Sequence, residues 1–340
     1  MAVTIYDVAK KAGVGIGTVS RAINNSPRIS SQTKAKVDQA IQELKYQPHA
    51  LAQGLARKKT NMVAIIVPVF TGYFYLELLR GIQQEISKYQ YDLLLFSVDQ
   101  TEKTEIFLKR TLQERKVDGV LLISLGISDH YVKKFLQSQF PIVLIDSDHN
   151  GLDSLTVENE QGAYLATKHL INLGHTRIGM IDAQLKSIPA KMRLEGYQKA
   201  LRDHRIPYNR RYLVISDSDI EKDGFNREAG YTAMKQLLQI NKNRPTAVFV
   251  SSDIQAAGAI KAIKECGLNI PEDVSIIGFD DIELAQYMGL STVRQPMYEM
   301  GGTAVEILMK KISGEESKPV KKRFETQLVI RDSCGYITAN

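Results

Sequence analysis

Cysteine is nearly absent from this chain of 340 residues: only Cys266 and Cys334 occur, too few for a disulfide framework and at no metal-ligand spacing. Both are expected to be inert, and no metal site is expected. No apolar run reaches the roughly 18 residues that a membrane span requires, and the basic amino terminus lacks the apolar stretch of a signal peptide. The expectation is a cytoplasmic protein that makes no membrane contact. Catalytic signatures are missing as well: there is no Gly-rich phosphate loop, no Gly-x-Ser-x-Gly, no His-x-x-x-His and no Cys-x-x-Cys. The six histidines are scattered, and His175 reads as part of a Leu-Gly-His turn rather than as a base. Nothing nucleophilic stands near the Asp280-Asp281 pair in sequence. An enzyme is therefore not expected, nor is a cofactor.

Basic charge is present, but in one place. Residues 1 to 60 hold ten Lys or Arg against three acids, a net of +7, whereas the remaining 280 residues hold 34 against 35. A basic excess confined to the first sixth of a chain suits contact with a polyanion. The length predicts two to three domains, and 44% hydrophobic residues suffice for a real core.

The same sixth has helical punctuation. Thr4 with Asp7 three residues on resembles a capping box, and Ile5, Val8, Ala9 and Ala12 fall on one stripe, so a helix is predicted to begin near Ile5. Gly13 supplies the positive φ that stops it, and Val14 fills the angle to the next helix. Val19, Ala22 and Ile23 give that second helix a buried stripe. Ile16, Gly17, Thr18, Ser20 and Arg21 are left for its outer and leading faces, the positions a recognition helix offers to a major groove. Ser30 caps a third helix with Val37, Ala40, Ile41 and Leu44 at helical spacing. The prediction is an all-α helix-turn-helix DNA-binding domain over residues 1–46.

From residue 61 onward, apolar runs alternate with amphipathic ones. Residues 63–67, 93–96, 120–123, 142–145, 178–181, 213–215, 247–250 and 275–278 read as buried strands. Stretches such as Leu78-Leu79-Ile82-Ile86, Ala256-Ile260-Ile263 and Val305-Leu308-Ile312 read as helices between them. A βαβ succession predicts parallel sheets covered by helices on both faces, and more than ten such elements imply two lobes.

Family resemblance enters with the run from Thr4 through Leu44-x-Tyr46-x-Pro48 to Ala52-x-x-Leu55. It continues in Leu173-Gly-His-x-Arg-Ile178, Arg193-x-x-Gly-Tyr197, Pro245-Thr-Ala-Val-Phe249, Ser252-Asp253, Pro271-x-Asp-Val-Ser-Ile-Ile-Gly-Phe-Asp-Asp281, Leu290-Ser-Thr-Val-Arg-Gln-Pro296 and Arg331-x-Ser333. Each landmark is weak alone, but together the set closely resembles the LacI/GalR family of bacterial transcriptional repressors. The resemblance implies an α/β two-lobed core of the type I periplasmic-binding-protein fold over residues 61–340, responsible for effector binding and dimerisation. Its lobes are implied near 61–160 plus 293–322 and 161–292 plus 323–340. It also implies a hinge helix and linker over residues 47–60. That helix is short for isolation in water and is weakened further by Gly54, so its folding should be coupled to DNA binding. By the same resemblance Leu55 is an apolar wedge pushed into the minor groove, with His49 and Ala52 beside it. The DNA-contacting set is Thr4, Tyr6, Ile16, Gly17, Thr18, Ser20, Arg21 and Asn24 together with His49, Ala52 and Leu55.

Ligand is expected between the lobes, outside the carboxyl ends of the strands. Strand position picks out Phe70, Phe74, Tyr75, Ser124, Asp146, Ser252, Asp253, Asp280 and Asp281, and the resemblance adds Arg193 and Phe225. Carboxylates and Arg can hold adjacent hydroxyls while aromatic faces pack on a sugar ring, so the set suits a carbohydrate, with a nucleobase stacked on Phe74 and Phe225 as the rival. Plain structural readings stand beside these: Phe70 or Phe225 as core, Asp253 as a helix cap, Asp281 as a lobe-bridging or turn residue.

Three departures from the family pattern qualify these expectations. Gly15-Ile16-Gly17 opens the recognition helix where polar residues are usual, which moves direct base readout toward Thr18, Ser20 and Arg21. Some relatives take a phosphorylated carrier protein through a basic helix after Pro296. Here that helix offers Tyr298, Glu299 and Glu306, which argues against such a coregulator. The chain ends at Asn340 without Leu heptads, so a homodimer is expected rather than a tetramer. The expectation is thus a homodimeric repressor that reads a near-palindromic double-stranded operator and answers to a small molecule, a sugar before a purine or nucleoside, with a protein coregulator as the other alternative.

Overall fold

The computed structural model describes residues 3–24, 26–46, 59–68, 72–98, 101–185, 187–216, 224–240, 242–315 and 318–337, save the side chains of 101 and 102. The hinge expected at residues 48–56, with His49, Ala52 and Leu55, lies outside the described residues, as does Phe70.

Three helices, α1 (Ile5–Ala12), α2 (Ile16–Ile23) and α3 (Ser31–Leu44), build the amino-terminal unit. The Asp7 carboxylate accepts from the Thr4 N–H at 2.8 Å and the Thr4 hydroxyl at 2.7 Å. These bonds start α1 and hold the Asp7 carboxyl below its usual range. Gly13 ends the helix at φ 66°, where a side chain would strain the backbone. Gly15 caps α2, and the Ser30 hydroxyl accepts from the Thr33 N–H at 3.2 Å to cap α3. Val8, Ala9, Val19, Ala22, Val37 and Ala40 form the buried centre, with Val14, Ile23, Ile41 and Leu44 packed on it. At about 1.5–3 kcal/mol per buried valine, Val8, Val19 and Val37 carry much of its stability.

In chain order the rest comprises β1 (Met62–Val67), α4 (Tyr73–Ile86), β2 (Asp92–Ser97), α5 (Thr101–Glu114), β3 (Gly119–Ile123), α6 (Asp129–Ser138), β4 (Ile142–Ile145), β5 (Asp153–Val157) and α7 (Asn159–Asn172). Then follow β6 (Ile178–Asp182), α8 (Ile188–Asp203), β7 (Leu213–Ile215), α9 (Arg227–Leu238), β8 (Ala247–Val250), α10 (Asp253–Glu265), β9 (Ser275–Ile277) and α11 (Glu283–Tyr287). The chain ends with β10 (Thr292–Arg294), α12 (Met297–Ile312), β11 (Lys321–Phe324) and β12 (Gln327–Val329). One lobe holds the sheet β11-β5-β4-β3-β1-β2 and the other β7-β6-β8-β9, and all neighbours within each are parallel. Apolar runs such as Val63–Val67 are buried on both faces because helices cover both sides of each sheet.

All eight predicted strands form. The unforeseen ones, β5, β10, β11 and β12, are not apolar runs. β5 reads Asp-Ser-Leu-Thr-Val yet lies inside its sheet, because its polar groups are satisfied locally. The Asp153 carboxylate accepts from the Val320 N–H at 2.8 Å and lies 3.5 Å from the Lys311 ammonium, and the Ser154 hydroxyl donates to the Leu152 carbonyl. Since β11 pairs with β5 as far as Phe324 opposite Val157, the first lobe extends two residues beyond the expected 322.

Helices close on each other where glycines remove side chains. A Cβ on Gly230 of α9 would lie 1.9 Å from the Gln255 carbonyl oxygen, and one on Gly258 of α10 would lie 1.9 Å from that of Arg227. The chain passes between lobes three times: from β5 to α7, from β10 to α12 and from β11 to β12. β10 and β12 pair antiparallel, Val293 opposite Leu328. The Asp281 carboxylate accepts from Arg294 Nε and Arg331 Nη2, both at 2.7 Å, which fulfils its structural reading. His175 is structural too. Its ring nitrogens contact Thr246 Oγ1 at 2.9 Å, Ser275 Oγ at 3.2 Å and the Gly335 carbonyl at 3.0 Å, at the amino-terminal edge of the second sheet.

Candidate functional site

The strands of both lobes end at the cleft between them, and several of these ends hold backbone strain. Ser124 after β3 (φ 52°), Asp146 after β4 (φ 56°) and Asp280 after β9 (φ 118°) all lie at positive φ without being glycine. Such conformations cost on the order of 1–3 kcal/mol each and cluster at binding sites. Ser124 Oγ donates to Asp146 Oδ2 at 2.9 Å.

From the other lobe, Arg193 on α8 supplies the opposing charge. It is 4% exposed. Its Nε donates to Asn159 Oδ1 at 2.9 Å and its Nη1 to the Ser251 carbonyl, and Nη1 lies 3.6 Å from Asp280 Oδ1. The guanidinium carbon is 3.8 Å from the centre of the Phe279 ring and 5.8 Å from that of Phe225. Asp280 Oδ1 also accepts from Gln295 Nε2 at 2.5 Å.

Burial pushes the Asp146 carboxyl up to about 6, against the pull of Arg193 and of the Ser124 bond. Burial likewise lifts Asp280 to about 6, opposed by Arg193 and Gln295, while the charge of Asp146 pushes it further up. The two carboxyls therefore sense each other and one guanidinium. Aromatic surface completes the wall. Phe74, at the start of α4, packs against the cores of both lobes, and beside it the Tyr73 hydroxyl accepts from Arg227 Nη2 at 3.2 Å.

Of the residues expected here, Ser124, Asp146, Arg193, Phe225 and Asp280 come together and Phe74 packs between the two lobe cores, while three others are taken up by structural contacts. Tyr75 is 8% exposed in the core of the first lobe with Val63, Ile65 and Leu78, because it lies one helical position from Phe74 and so turns inward. Asp253 is fully buried. Its Oδ1 accepts from the Thr292 hydroxyl at 2.6 Å and its Oδ2 from the Ile282 N–H at 3.0 Å, so its carboxyl fastens the loop after β9 to β10. Burial, reinforced by Asp280, holds it well above the carboxylate range. Ser252 is the cap of α10: its Oγ accepts from the Gln255 N–H at 3.3 Å and donates to Gln255 Oε1 at 3.0 Å.

Four residues escaped sequence reasoning. Asn159 and Gln295 hold Arg193 and Asp280, and Phe279 lies under the guanidinium. Asp182, at the carboxyl end of β6, has no exposed surface. Its Oδ1 accepts from the Ala183 N–H at 2.8 Å, its Oδ2 has no hydrogen-bond partner among the described residues, and burial pushes its carboxyl up to about 7, opposed by the nearby Ser251 hydroxyl, the Ala183 bond and the charge of Arg193. A lone acid closing an apolar strand was its only signal. Among the described residues, no group of three His, Cys, Asp or Glu could hold a metal ion.

The second candidate site is the outer face of α2. Ile16, Gly17 and Arg21 are exposed, Thr18 and Ser20 are half-buried, and Tyr6 of α1 is 67% exposed beside them in the same unit. Thr4 is exposed, with its hydroxyl turned to Asp7, and Asn24 Nδ2 donates to Ser20 Oγ at 3.4 Å. Lys10, Arg28 and Lys36 are exposed in the same unit. A helix presenting short polar side chains and one Arg, backed by cations, can enter a major groove. No helix among the described residues is long and apolar enough to cross a membrane.

Comparison with known proteins finds matches to both parts of the chain. Residues 4–49 match the family model for bacterial regulatory proteins of the lacI family, and residues 167–334 match that for the periplasmic binding protein-like domain. Catabolite control protein A of Priestia megaterium is 36% identical over 93% of this chain and 94% of its own. The ribose operon repressor of Haemophilus influenzae is 36% identical over 97% and 98%, and the transcriptional repressor PurR of Aliivibrio fischeri 34% over 98% of both. Among solved structures, the lac repressor dimer bound to operator and an anti-inducer superposes with a TM-score of 0.81 at 28% identity, covering 98% of this chain and 99% of that one. The regulator CelR in complex with cellobiose gives 0.71 at 30% identity, covering 97% and 99%. With its helix-turn-helix unit, its two-lobed parallel-sheet core and relatives matched along nearly their whole length, the chain belongs to the LacI family of bacterial transcriptional regulators.

Proposed function

We propose that this protein is a cytoplasmic homodimeric repressor whose operator affinity is set by a sugar bound between the core lobes, and that it catalyses no reaction. The observation that carries the reading is the placement of Arg193 beside two carboxyls, Asp146 and Asp280, and against the aromatic faces of Phe225 and Phe279. A guanidinium and carboxylates in one wall bind vicinal hydroxyls with paired donors and acceptors, while buried Phe279 backs the guanidinium and the partly exposed Phe225 ring covers the C–H side of a pyranose or furanose. Phe74 and Ser124 complete the pocket in this reading. The cellobiose complex of CelR and the names of the ribose operon and lac repressors support a carbohydrate as the ligand class.

On the DNA side, Ile16 to Arg21 of each subunit enters one major-groove half-site of a near-palindrome, with Arg21, Thr18 and Ser20 reading base edges and Tyr6, Thr4 and Asn24 on the backbone. Paired hinge segments at residues 48–56 widen the minor groove around Leu55, flanked by His49 and Ala52. Effector binding changes the angle between the lobes, and with it the separation of the paired hinges. The dimer on operator formed by the lac repressor supports this arrangement.

The test is a thermal-shift screen of the full chain against ribose, cellobiose, glucose and galactose, with hypoxanthine and guanine alongside. A ligand at 100 times its Kd adds about 2.7 kcal/mol, enough to move the core transition by several degrees. A sugar that stabilises the protein and changes operator affinity supports the reading. Stabilisation by a purine alone overturns it in favour of a nucleobase on Phe74 and Phe225.

A further inference from the structure

Where α8 runs out at Asp203, the second lobe carries a groove of about 480 Å³ lined by Gln198, Arg202, Arg205, Ile206, Pro207 and Tyr208, none of them a cleft residue. That size lies within the range of small-molecule sites. The sequence around it is strongly basic: residues 199 to 211 hold Lys199, Arg202, Arg205, Arg210 and Arg211 against Asp203 alone. Some of these cations are occupied. Lys199 pairs with Glu160 at 3.2 Å, and Arg210 Nη1 donates to the Leu213 carbonyl at 2.8 Å. The guanidiniums of Arg202 and Arg205, which line the groove, form no ion pair or hydrogen bond with the described residues.

The backbone turns sharply between these two residues. Arg205 sits at φ 58°, a left-handed conformation that costs a residue with a Cβ on the order of 1 kcal/mol or more. That turn directs the Arg205 N–H to the Arg202 carbonyl at 3.0 Å and the Ile206 N–H to the Leu201 carbonyl at 2.9 Å. The last carbonyls of α8 are thereby occupied, which blunts the negative helix end that would otherwise repel an anion. Ile206 and Pro207 supply apolar floor. Tyr208 is 41% exposed, with its ring centre 6.4 Å from that of buried Tyr197, so one aromatic ring is held against the core and still presents surface to solvent.

We propose that this groove is a second ligand site, separate from the interlobe cleft, and that it takes the phosphate monoester of a small aromatic or apolar molecule. Arg202 and Arg205 grip the phosphate oxygens, for which the guanidinium fork is suited, while Tyr208, Ile206 and Pro207 cover the organic body. Unpaired guanidiniums beside an apolar floor fit an amphiphilic anion better than a neutral sugar. The site is independent of the identity of the cleft ligand.

Phenyl phosphate is the probe. Full-length protein is titrated calorimetrically with phenyl phosphate, inorganic phosphate and phenol in separate arms, and hydrogen exchange is followed in residues 198–212. The expected result is saturable binding of phenyl phosphate, weaker binding of inorganic phosphate, none of phenol, and protection confined to that segment. The double variant Arg202→Ala/Arg205→Ala should lose affinity by about tenfold or more, and Tyr208→Ala should weaken phenyl phosphate while sparing inorganic phosphate. The circular dichroism of each variant should match the parent. Absent saturation, affinity unchanged in the double variant, or protection located in the basic headpiece or cleft each overturns the proposal. Protection of residues 198–212 by an oligoglutamate peptide but not by phenyl phosphate also overturns it, and makes the groove a docking face for an acidic protein segment.

Discussion

The headpiece and the cleft solve opposite problems. In the headpiece each functional side chain is within a few residues of the groups that position it. Asp7 caps from three residues away, Gly13 turns the chain at its own φ, and Thr18, Ser20 and Arg21 project from one short helix without strain. In the cleft the partners of one guanidinium come from positions 146, 159, 251 and 280, and two of them, Asp146 and Asp280, are presented at unfavourable dihedrals. Reading DNA needs exposed groups on a rigid local scaffold. Answering a small ligand needs buried charges whose geometry depends on the whole fold, and that dependence lets occupancy be felt elsewhere.

If the two regions are separable, Arg193→Ala should have the largest effect. It leaves Asp280 and Asn159 without their buried partner, a loss of about 3–5 kcal/mol. Ligand-induced thermal shift should vanish and the core should melt earlier, while the headpiece, observed by its own amide exchange, stays folded. Retained ligand response in Arg193→Ala would remove the guanidinium from the site. Arg21→Ala should come next, lowering operator affinity by about 1–3 kcal/mol in a fluorescence-anisotropy titration while the core transition and its ligand shift stay at parental values.

The smallest effect is expected from Asp182→Asn. The folded-state carboxyl, lifted to about 7, holds its proton more tightly than the unfolded chain, so it contributes stability at acid pH that is lost as pH rises through 7. The amide carries no such dependence. The variant's melting temperature should exceed the parent's at pH 8 by an amount corresponding to about 1–2 kcal/mol, with the gap closing toward pH 5. A gap that does not change with pH would mean that Asp182 does not titrate in this range.

This contrast also explains how much could be read from the sequence. The caps, stripes and turn glycine of the headpiece are local in the chain, so the starts of α1, α2 and α3 and the stop of α1 at Gly13 were legible. Buried strands were legible where burial on both faces forces an apolar run, and were lost at β5, where Asp153 and Ser154 find partners on residues 320 and 152. In the cleft, Asp253 and Asp280 look alike as acids following strands. Only tertiary structure shows that one fastens Thr292 and Ile282 while the other faces Arg193. Asn159 carried no signal, since an Asn opening a helix is ordinary in sequence and acquires its role only because α8 lies across it.

The two Arg side chains on Asp281 have a mechanical consequence. Two of the three passages between the lobes are laced to each other, by the β10–β12 ladder and by one carboxylate gripping Arg294 and Arg331. Fastened in this way they bend together like a plank, and the passage beyond β5 is stitched to it, the Glu158 N–H donating to the Phe324 carbonyl at 3.0 Å. Motion of one lobe against the other is thereby reduced from a cone of directions toward a single axis. A joint with one degree of freedom transmits the same gesture whatever closes it, so new ligands can be accommodated by altering the cleft wall while the linkage to the operator is left untouched.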